Sequence, residues 1–403
     1  MQRLAVLSLH SSPLVQPGSG DSGGMNVYVR ELVSSLAQAG IDCTTFTRTA
    51  SHDVPEVVQV EPGHRVVHVP AGAIDLRKDD LANVVDEFTA GVSAHLDGAF
   101  PADVLHANYW LSGLAAHRLK HERALPFVST FHTLARVKAE GGDVESEQRD
   151  RAEAEITGCA DAICVSCTEE ERQFRQHYGD PPGRIEIVAP AVEHAFFAPG
   201  ERAGARQALD LPVDAPVLLF VGRIQPLKGP DVAVRALAAM RRSDAILLVV
   251  GGASGSEGDA EVVRLHDLID RLGVSDQVRF VAPQPHHILS TYYRAANVVV
   301  VPSRSESFGL VALEASACGV PVVASAVGGL LTLVDHGASG FLVPDRDPTL
   351  FARHIDALLD DPAMAAAMGR NGALRSRQYT WGLAAARLRR LYADLTVREL
   401  VSC

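Results

Sequence analysis

Short apolar runs rich in valine and isoleucine alternate along the chain with longer stretches whose apolar residues recur at helical spacing. In the first half the runs fall at residues 3–9, 43–47, 66–69, 104–106, 127–130, 162–165 and 185–188, with the first helical stretch at 27–40. Strand and helix in alternation predict a parallel sheet covered on both faces. Residues 197–208, a mixture of Pro, Gly, Ala and Arg without strand character, then predict a linker. A second alternation follows, with runs at 217–221, 246–250, 278–281, 298–301, 322–324 and 341–343. The expected architecture is α/β, two doubly wound Rossmann-like domains facing each other, one over 1–196 and one over 197–380. Residues 381–395 place Leu383, Leu388, Leu391 and Tyr392 among arginines, which predicts an amphipathic helix packed on a core. A length of 403 residues suits two domains at roughly 100 to 200 residues each.

Composition narrows the partners. Lys plus Arg number 37 against 49 for Asp plus Glu, a net charge of −12 that opposes any nonspecific grip on nucleic acid or an anionic membrane. An anionic ligand then needs a local basic pocket. Apolar stretches stay short of a membrane span, and the first run ends at His10 and a Gly-rich segment, so it reads as a strand rather than a signal peptide. Six cysteines are too few for a disulfide scaffold and suit a reducing compartment, so the expected location is the cytoplasm. Cys164 and Cys167 form C-x-x-C, but no second pair and no His with zinc spacing follows, so they read as buried strand cysteines.

Ligands of doubly wound sheets bind beyond the carboxyl ends of the strands, which directs attention to the strand-to-helix junctions. The first reads HSSPLVQPGSGDSGGMN over 10–26, where Gly18, Gly20, Gly23 and Gly24 let the backbone approach a ligand and the following helix offers free amides. Its formal G-x-G-x-x-G lies too far past the strand, and the next strand ends at Thr47 and Arg48 without an acidic residue for a ribose. A dinucleotide site is therefore discounted. FVST at 127–130 runs into His132 and Thr133, and FVGRIQPLKG carries Arg223 and Lys228, two cations suited to a diphosphate. PSRSESFGLVALEASACGVPVVAS over 302–325 predicts a strand end, a polar turn and a helix from near Ser307, with anion-binding amides around Gly309 and Leu310. Glu306 precedes that helix and Glu314 lies inside it. Each feature alone reads as a tight turn, a solvated cation pair or a surface Glu pair. Together they describe a nucleotide-sugar site, with phosphates on amides and cations and hydroxyls on carboxylates.

GDSGGMNVYV, VGRIQPLKG and the E-x7-E of SESFGLVALEA resemble the retaining glycosyltransferases of family 4, which have the GT-B fold. The resemblance spans essentially the whole chain and implies that the tail helix, 381–403, crosses back onto the first domain. HSSPLVQPGSGDSGGMNVYV, LRKDDL, NYWLSG, FHTLARVK and Arg149 ahead of Glu153 are similar to the mycothiol-pathway branch of that family. That branch moves N-acetylglucosamine from UDP-N-acetylglucosamine to 1D-myo-inositol 3-phosphate. On that resemblance Asn26, Lys78, Tyr109, Thr133 and Arg149 hold the phosphorylated acceptor, and His10 with Asp21, Ser22, Gly23, Gly24 and Met25 completes its pocket. Gln16, Pro17 and Gly24 reach the donor. Arg223 and Lys228 meet the diphosphate near Gly309 and Leu310, Glu306 the donor sugar and Glu314 the ribose hydroxyls. Gln284 stands beside the uracil, where some relatives carry Arg. His132 contacts and aligns the donor sugar.

The resemblance further implies that catalysis needs no cofactor, and that a structural magnesium sits on carbonyls of Tyr293, Arg294 and Ala296. The expected partners are a UDP-sugar and a small phosphorylated acceptor, with no nucleic acid, no stable membrane insertion and a homodimer as the oligomeric expectation. Two other readings use the same residues: a family 4 enzyme with another acceptor, such as a sugar phosphate or an aminocyclitol, and a non-catalytic two-domain sugar-binding protein. Paired glutamates beside two phosphate-binding cations favour chemistry over simple binding.

Overall fold

The thirteen apolar runs and one further segment form fourteen strands in two sheets among the described residues, seen in a computed structural model that describes residues 2–18, 22–142, 144–254 and 258–403. Backbone contacts divide the chain into two compact units, one of Met1–Val15, Met25–Ala189 and Trp381–Cys403, the other of Gln16–Gly24 and Pro190–Thr380.

The first unit holds β1 (Arg3–Leu7), β2 (Asp42–Arg48), β3 (Val57–Glu61), β4 (His64–Val69), β5 (Val104–Asn108), β6 (Phe127–Thr130), β7 (Ala162–Val165) and β8 (Arg184–Ile187). Their order is β3-β4-β2-β1-β5-β6-β7-β8. All neighbours run parallel except β3, which pairs antiparallel with β4. The sequence does not announce β3, because its side chains are half-exposed and an edge strand needs no continuous apolar run. Leu7, Phe46, Phe88, Leu105, Phe127 and Ile163 are fully buried between the sheet and its helices.

The second unit holds β9 (Val217–Val221), β10 (Ile246–Val250), β11 (Val278–Val281), β12 (Val298–Val301), β13 (Val322–Ser325) and β14 (Gly340–Val343), in the order β11-β10-β9-β12-β13-β14, all parallel. In both sheets the first strand lies centrally and the chain winds outward in both directions from it. The switch falls between β1 and β5 in one unit and between β9 and β12 in the other, and it is the loops after these strands that a doubly wound sheet offers to ligands.

Two expectations are corrected. Residues 197–208 are not a free linker: Phe197 is fully buried, Arg202–Ala208 form a helix of the second unit, and the contact boundary falls earlier, at Ala189 and Pro190. Arg206 explains the early start, since its guanidinium is buried on the Ala295 carbonyl and on Asn297 Oδ1. The segment Gln16–Gly24 also belongs with the second unit rather than with the strand that precedes it. The helix Trp381–Leu395 belongs to the first unit, where its fully buried Tyr392 reaches His106 on β5. Among the described residues no helix is long and apolar enough to cross a membrane.

Candidate active site

In the second unit Gly222 follows the end of β9, and the turn to the helix Pro230–Ala239 carries Arg223 and Lys228. Arg223 donates to Ser254 Oγ at 3.1 Å, and a Cβ on Gly23 would lie 3.4 Å from its Nε. Lys228 Nζ donates to Glu306 Oε1 at 2.5 Å, and Ser303 Oγ donates to the same oxygen at 2.8 Å. The second cation and the first glutamate of the predicted constellation are therefore already paired, at a half-buried position.

The helix after β12 begins at Leu310, not near Ser307, and runs to Ala317. Gly309 sets its start with φ of 105°, and a side chain there would bring Cβ within 2.7 Å of Leu330 Cδ2. Phe308 is buried ahead of the helix, and the turn is clasped by Gly329 N–H on the Glu306 carbonyl at 2.9 Å. The Leu310 end still presents its amides beside Gly24, whose missing Cβ would stand 3.2 Å from Leu310 Cδ1.

Glu314 is buried, and both its oxygens are engaged: Tyr293 donates its phenol at 2.7 Å and His286 its Nε2 at 2.7 Å. Burial first, and the Glu314 charge second, push the Tyr293 phenol well above its ordinary pKa, so it remains a donor. Gln284 sits in the loop after β11, its amide on the Ala282 carbonyl at 2.9 Å, while Gln16 donates to the neighbouring Pro283 carbonyl at 3.1 Å. Pro17 lies between Gln16 and Gly18, whose own Cβ position would touch Pro283 at 3.4 Å.

The carbonyls expected to hold magnesium lie around the end of the helix Leu289–Ala295. The Tyr293 carbonyl accepts from Ala296 N–H at 3.1 Å, and the adjacent Ala295 carbonyl accepts from Arg206 Nε at 3.0 Å. The Arg294 guanidinium lies across the carbonyls of Ala198 and Phe196. The Arg206 guanidinium thus serves a carbonyl of this helix end and that of Arg294 serves carbonyls outside it, and both charges disfavour a divalent ion beside them.

In the first unit, two residues just past the ends of β5 and β6 are held at left-handed backbone angles, Tyr109 at φ of 75° and His132 at 63°. Such strain costs on the order of 1–3 kcal/mol per residue and concentrates at functional sites. His132 Nε2 donates to Asn108 Oδ1 at 2.9 Å, and its ring meets Tyr28 edge-on at 4.9 Å. Burial, then the neighbouring His106, draw the His132 imidazole down to about 3. It is a neutral ring at any physiological pH.

Around Tyr109 the structure gathers His10, with ring centroids 4.6 Å apart, and Arg149, whose guanidinium stands 5.0 Å over the Tyr109 ring. Asn26 is buried and donates to Ser11 Oγ at 2.7 Å and to the Ser12 carbonyl at 2.8 Å, which shapes the turn bearing His10. Arg149 is only 3% exposed and donates to Glu153 at 2.7 Å, Glu145 at 2.9 Å, the Thr133 carbonyl at 2.7 Å and Thr133 Oγ1 at 3.0 Å. Burial opposes its charge, but Tyr109, Glu153 and Glu145 outweigh that and hold it above its ordinary pKa. The sequence predicts a cation free to meet a phosphate. The structure has one whose outer face is occupied by the Glu145 carboxylate, which also takes Lys138 Nζ. Lys78 stands exposed at the head of the turn Lys78–Val84, Met25 follows Gly24 at the helix start, and Ser22 is buried with its carbonyl on Gly18 N–H at 2.9 Å. Asp21 lies outside the described residues.

Asn108, Lys138, Glu145, His286 and Ser303 do not stand out in the sequence. Asn108 and Ser303 are the legible ones, since each sits at a strand end beside the switch point. Cys164 is a buried strand cysteine on β7, whose thiol burial raises to about 12, whereas Cys167, also buried, lies past the strand at the start of the helix Thr168–Tyr178.

The histidines predict a pH dependence. Burial draws His106 to about 3, as it does His132, whereas an unfolded chain protonates both near 6.5. The folded state thus binds fewer protons, so stability is complete above about 6.5 and is lost as pH falls toward about 3. Urea midpoints should decline between about pH 7 and pH 4, and less steeply in His106→Gln. A slope identical in the variant and the parent contradicts the assignment.

Comparison with known proteins gives the family. Residues 23–191 match the Glycosyl transferase 4-like domain and residues 201–375 match Glycosyl transferases group 1. The fold and site define a two-unit glycosyltransferase, and the chain belongs to this family. It is 44% identical over 407 residues to D-inositol 3-phosphate glycosyltransferase 2 of Catenulispora acidiphila, covering 97% of this chain and 95% of that one. Among solved structures, sucrose-phosphate synthase from Thermosynechococcus elongatus superposes with a TM-score of 0.91 at 35% identity, covering 98% of this chain and 99% of that one. Anabaena HepE in complex with UDP-glucose shares the fold, with a TM-score of 0.79 at 19% identity over 98% of this chain and 100% of that one.

Proposed function

We propose that the chain transfers N-acetylglucosamine from UDP-N-acetylglucosamine to 1D-myo-inositol 3-phosphate with retention at the anomeric carbon. The observation that carries the acceptor is the anion slot of the first unit. Glu145 places a carboxylate against Arg149 and Lys138, beside Thr133 Oγ1 and Tyr109, and a phosphomonoester has the charge and acceptor oxygens to take its place. The name of the 44% identical relative supports the same acceptor. Lys78 adds a third cation from an exposed turn, and His10 and Asn26 shape the rest of the pocket.

On the donor side Arg223 and Lys228 neutralise the diphosphate with the amides at Gly309 and Leu310, and Glu306 is released from Lys228 to accept hydroxyls of the sugar. Glu314 receives the ribose diol on lone pairs now facing His286, and the backbone around Gln284 borders the base. The bond between the anomeric carbon and the β-phosphate oxygen breaks as the inositol oxygen bonds to that carbon on the same face. The acceptor proton passes to the departing phosphate, and UDP leaves. His132 is not the base in this reading, because an environment that pulls its pKa to about 3 disfavours the imidazolium that a base becomes. It aligns the sugar through a ring fixed by Asn108. The reaction draws its charge stabilisation from the two cations and needs no cofactor.

The test is an acceptor panel. Purified chain is incubated with UDP-N-acetylglucosamine or UDP-glucose and with inositol 3-phosphate, inositol, hexose phosphates or an aminocyclitol, and products are weighed by mass spectrometry. Inositol 3-phosphate should react fastest and give an α-linked product by NMR. A faster hexose phosphate would move the chain to the reaction named by its 35% identical structural neighbour. Plain inositol or an aminocyclitol reacting equally fast would remove the phosphate pocket from the assignment.

A further inference from the structure

At the amino-terminal edge of the first sheet, opposite the edge that carries Tyr109 and His132, four metal-binding side chains converge. They are His117 and His121 on the helix Trp110–Arg123, Cys159 at the end of the helix Glu147–Cys159, and Cys403. One ligand atom from each lies within 4.8 Å of all the others, the one such group among the described residues. We propose that these four residues form a structural zinc site, with Cys159 and Cys403 as thiolates.

The distances suit a metal better than any set of direct hydrogen bonds. His121 Nε2 lies 3.0 Å from His117 Nε2, 3.5 Å from Cys159 Sγ and 3.4 Å from Cys403 Sγ. Zinc bonds of about 2.0–2.1 Å to nitrogen and about 2.3 Å to sulfur, arranged tetrahedrally, put nitrogen–nitrogen and nitrogen–sulfur pairs roughly 3.3 to 3.6 Å apart. His117 Nδ1 meets Glu155 at 2.8 Å, which places its proton there and turns a bare Nε2 lone pair into the cluster. His121 Nε2 has at most one proton for three acceptors around it. A single soft divalent ion satisfies all four groups, and two thiolates cancel its charge.

The framework around the cluster is built rather than incidental. Lys120 lies between the two histidines in sequence, and its buried ammonium donates to the Cys159 carbonyl at 2.7 Å and to Asp161 at 2.9 Å. Asp161 also accepts from the N–H of Phe127 at 2.8 Å and of Val401 at 2.6 Å. One lysine and one aspartate thus fix the histidine helix, the Cys159 end and the tail that delivers Cys403. Histidines four apart on one helical face complete an H-x3-H pattern with the spacing common in zinc sites.

The two sulfurs are bonded to each other in the structure, with Cα atoms 5.3 Å apart, and the same proximity serves a shared metal. A low-molecular-weight thiol opens that bond: two electrons reduce the pair to two thiols while the reductant leaves as its own disulfide. Zinc then binds with release of the two thiol protons. The ion would pin the tail beyond the helix Trp381–Leu395 to the body of the first unit.

The full chain, purified with a thiol reductant and stripped with a chelator, is titrated with cobalt(II). One equivalent should bind with the strong visible bands of a tetrahedral site and near-ultraviolet thiolate-to-metal charge transfer, and zinc should displace it and raise the melting temperature. Glu155→Ala, which spares all four ligands on an exposed residue, should weaken zinc about 10- to 100-fold while glycosyl transfer is retained. Cys403→Ser should lose charge-transfer intensity. A parent chain that binds cobalt without tetrahedral or sulfur bands overturns the proposal. So does a Cys159–Cys403 disulfide that survives the reductant, or zinc affinity unchanged in both Glu155→Ala and Cys403→Ser.

Discussion

Arg223→Ala and Lys228→Ala should each lower turnover roughly a hundredfold or more, the scale of loss when a group facing developing transition-state charge is removed. The leaving diphosphate gains charge as the anomeric bond breaks, and these two side chains are the cations that the turn after β9 supplies. Their resting partners predict different collateral effects. Lys228→Ala leaves Glu306 with Ser303 alone on its Oε1, so an anion now faces the donor phosphates and UDP binding should fall along with turnover. Arg223→Ala breaks a contact with Ser254 and leaves the Lys228–Glu306 pair in place, so it should mainly reduce the chemical step. Steady-state kinetics with UDP-N-acetylglucosamine, beside calorimetry with UDP alone, separates the two. Near-normal turnover in both variants would remove the diphosphate assignment.

Glu314 gives a subtler split on the same side. Its buried carboxylate holds Tyr293 and His286, so Glu314→Gln should weaken UDP itself, whereas Glu306→Gln should spare UDP and impair sugar-dependent steps. Equal losses of UDP affinity in both variants would contradict the division.

The architecture was legible because buried parallel strands must be apolar on both faces. β9, β10 and β12 are therefore written as unbroken aliphatic runs, and the helix Trp381–Leu395 as a periodic one. The glycine turn, Arg223 with Lys228, and Glu306 could be picked out as candidates because a doubly wound sheet puts its chemistry at strand ends, and these residues follow strand ends, while Glu314 lies in the helix that comes next. What the sequence concealed is pairing. Nothing in the spacing of Glu145 and Arg149 distinguishes a cation awaiting phosphate from one already holding a carboxylate, since i,i+4 ion pairs also decorate ordinary helices. The same limit hid the cluster at His117, His121, Cys159 and Cys403. Its two histidines look like a solvated helix face until the fold brings in cysteines from distant segments.

Arg149 and Glu145 yield the prediction on which the acceptor depends. Arg149→Ala should raise the Michaelis constant for inositol phosphate strongly, because a charge-assisted hydrogen bond to phosphate contributes about 1.5–3 kcal/mol. It should also destabilise the fold, since removing one partner of a buried ion pair costs on the order of 3–5 kcal/mol, and Glu153 is fully buried. That variant alone cannot separate binding from folding. Glu145→Gln can. It keeps a hydrogen-bond acceptor on Arg149 and near Lys138 but removes the negative charge that the phosphate must displace. Replacing a charged bond by a neutral one forgoes about 1.4 kcal/mol, so the Michaelis constant for inositol phosphate should drop about tenfold. Plain inositol, with no phosphate to enter the slot, should be unaffected, and donor hydrolysis without acceptor should stay at the parent rate. If Glu145→Gln instead raises the Michaelis constant, Glu145 belongs to the acceptor's own binding set, and the phosphate must be held by Lys78 and its surroundings rather than by the Arg149 slot.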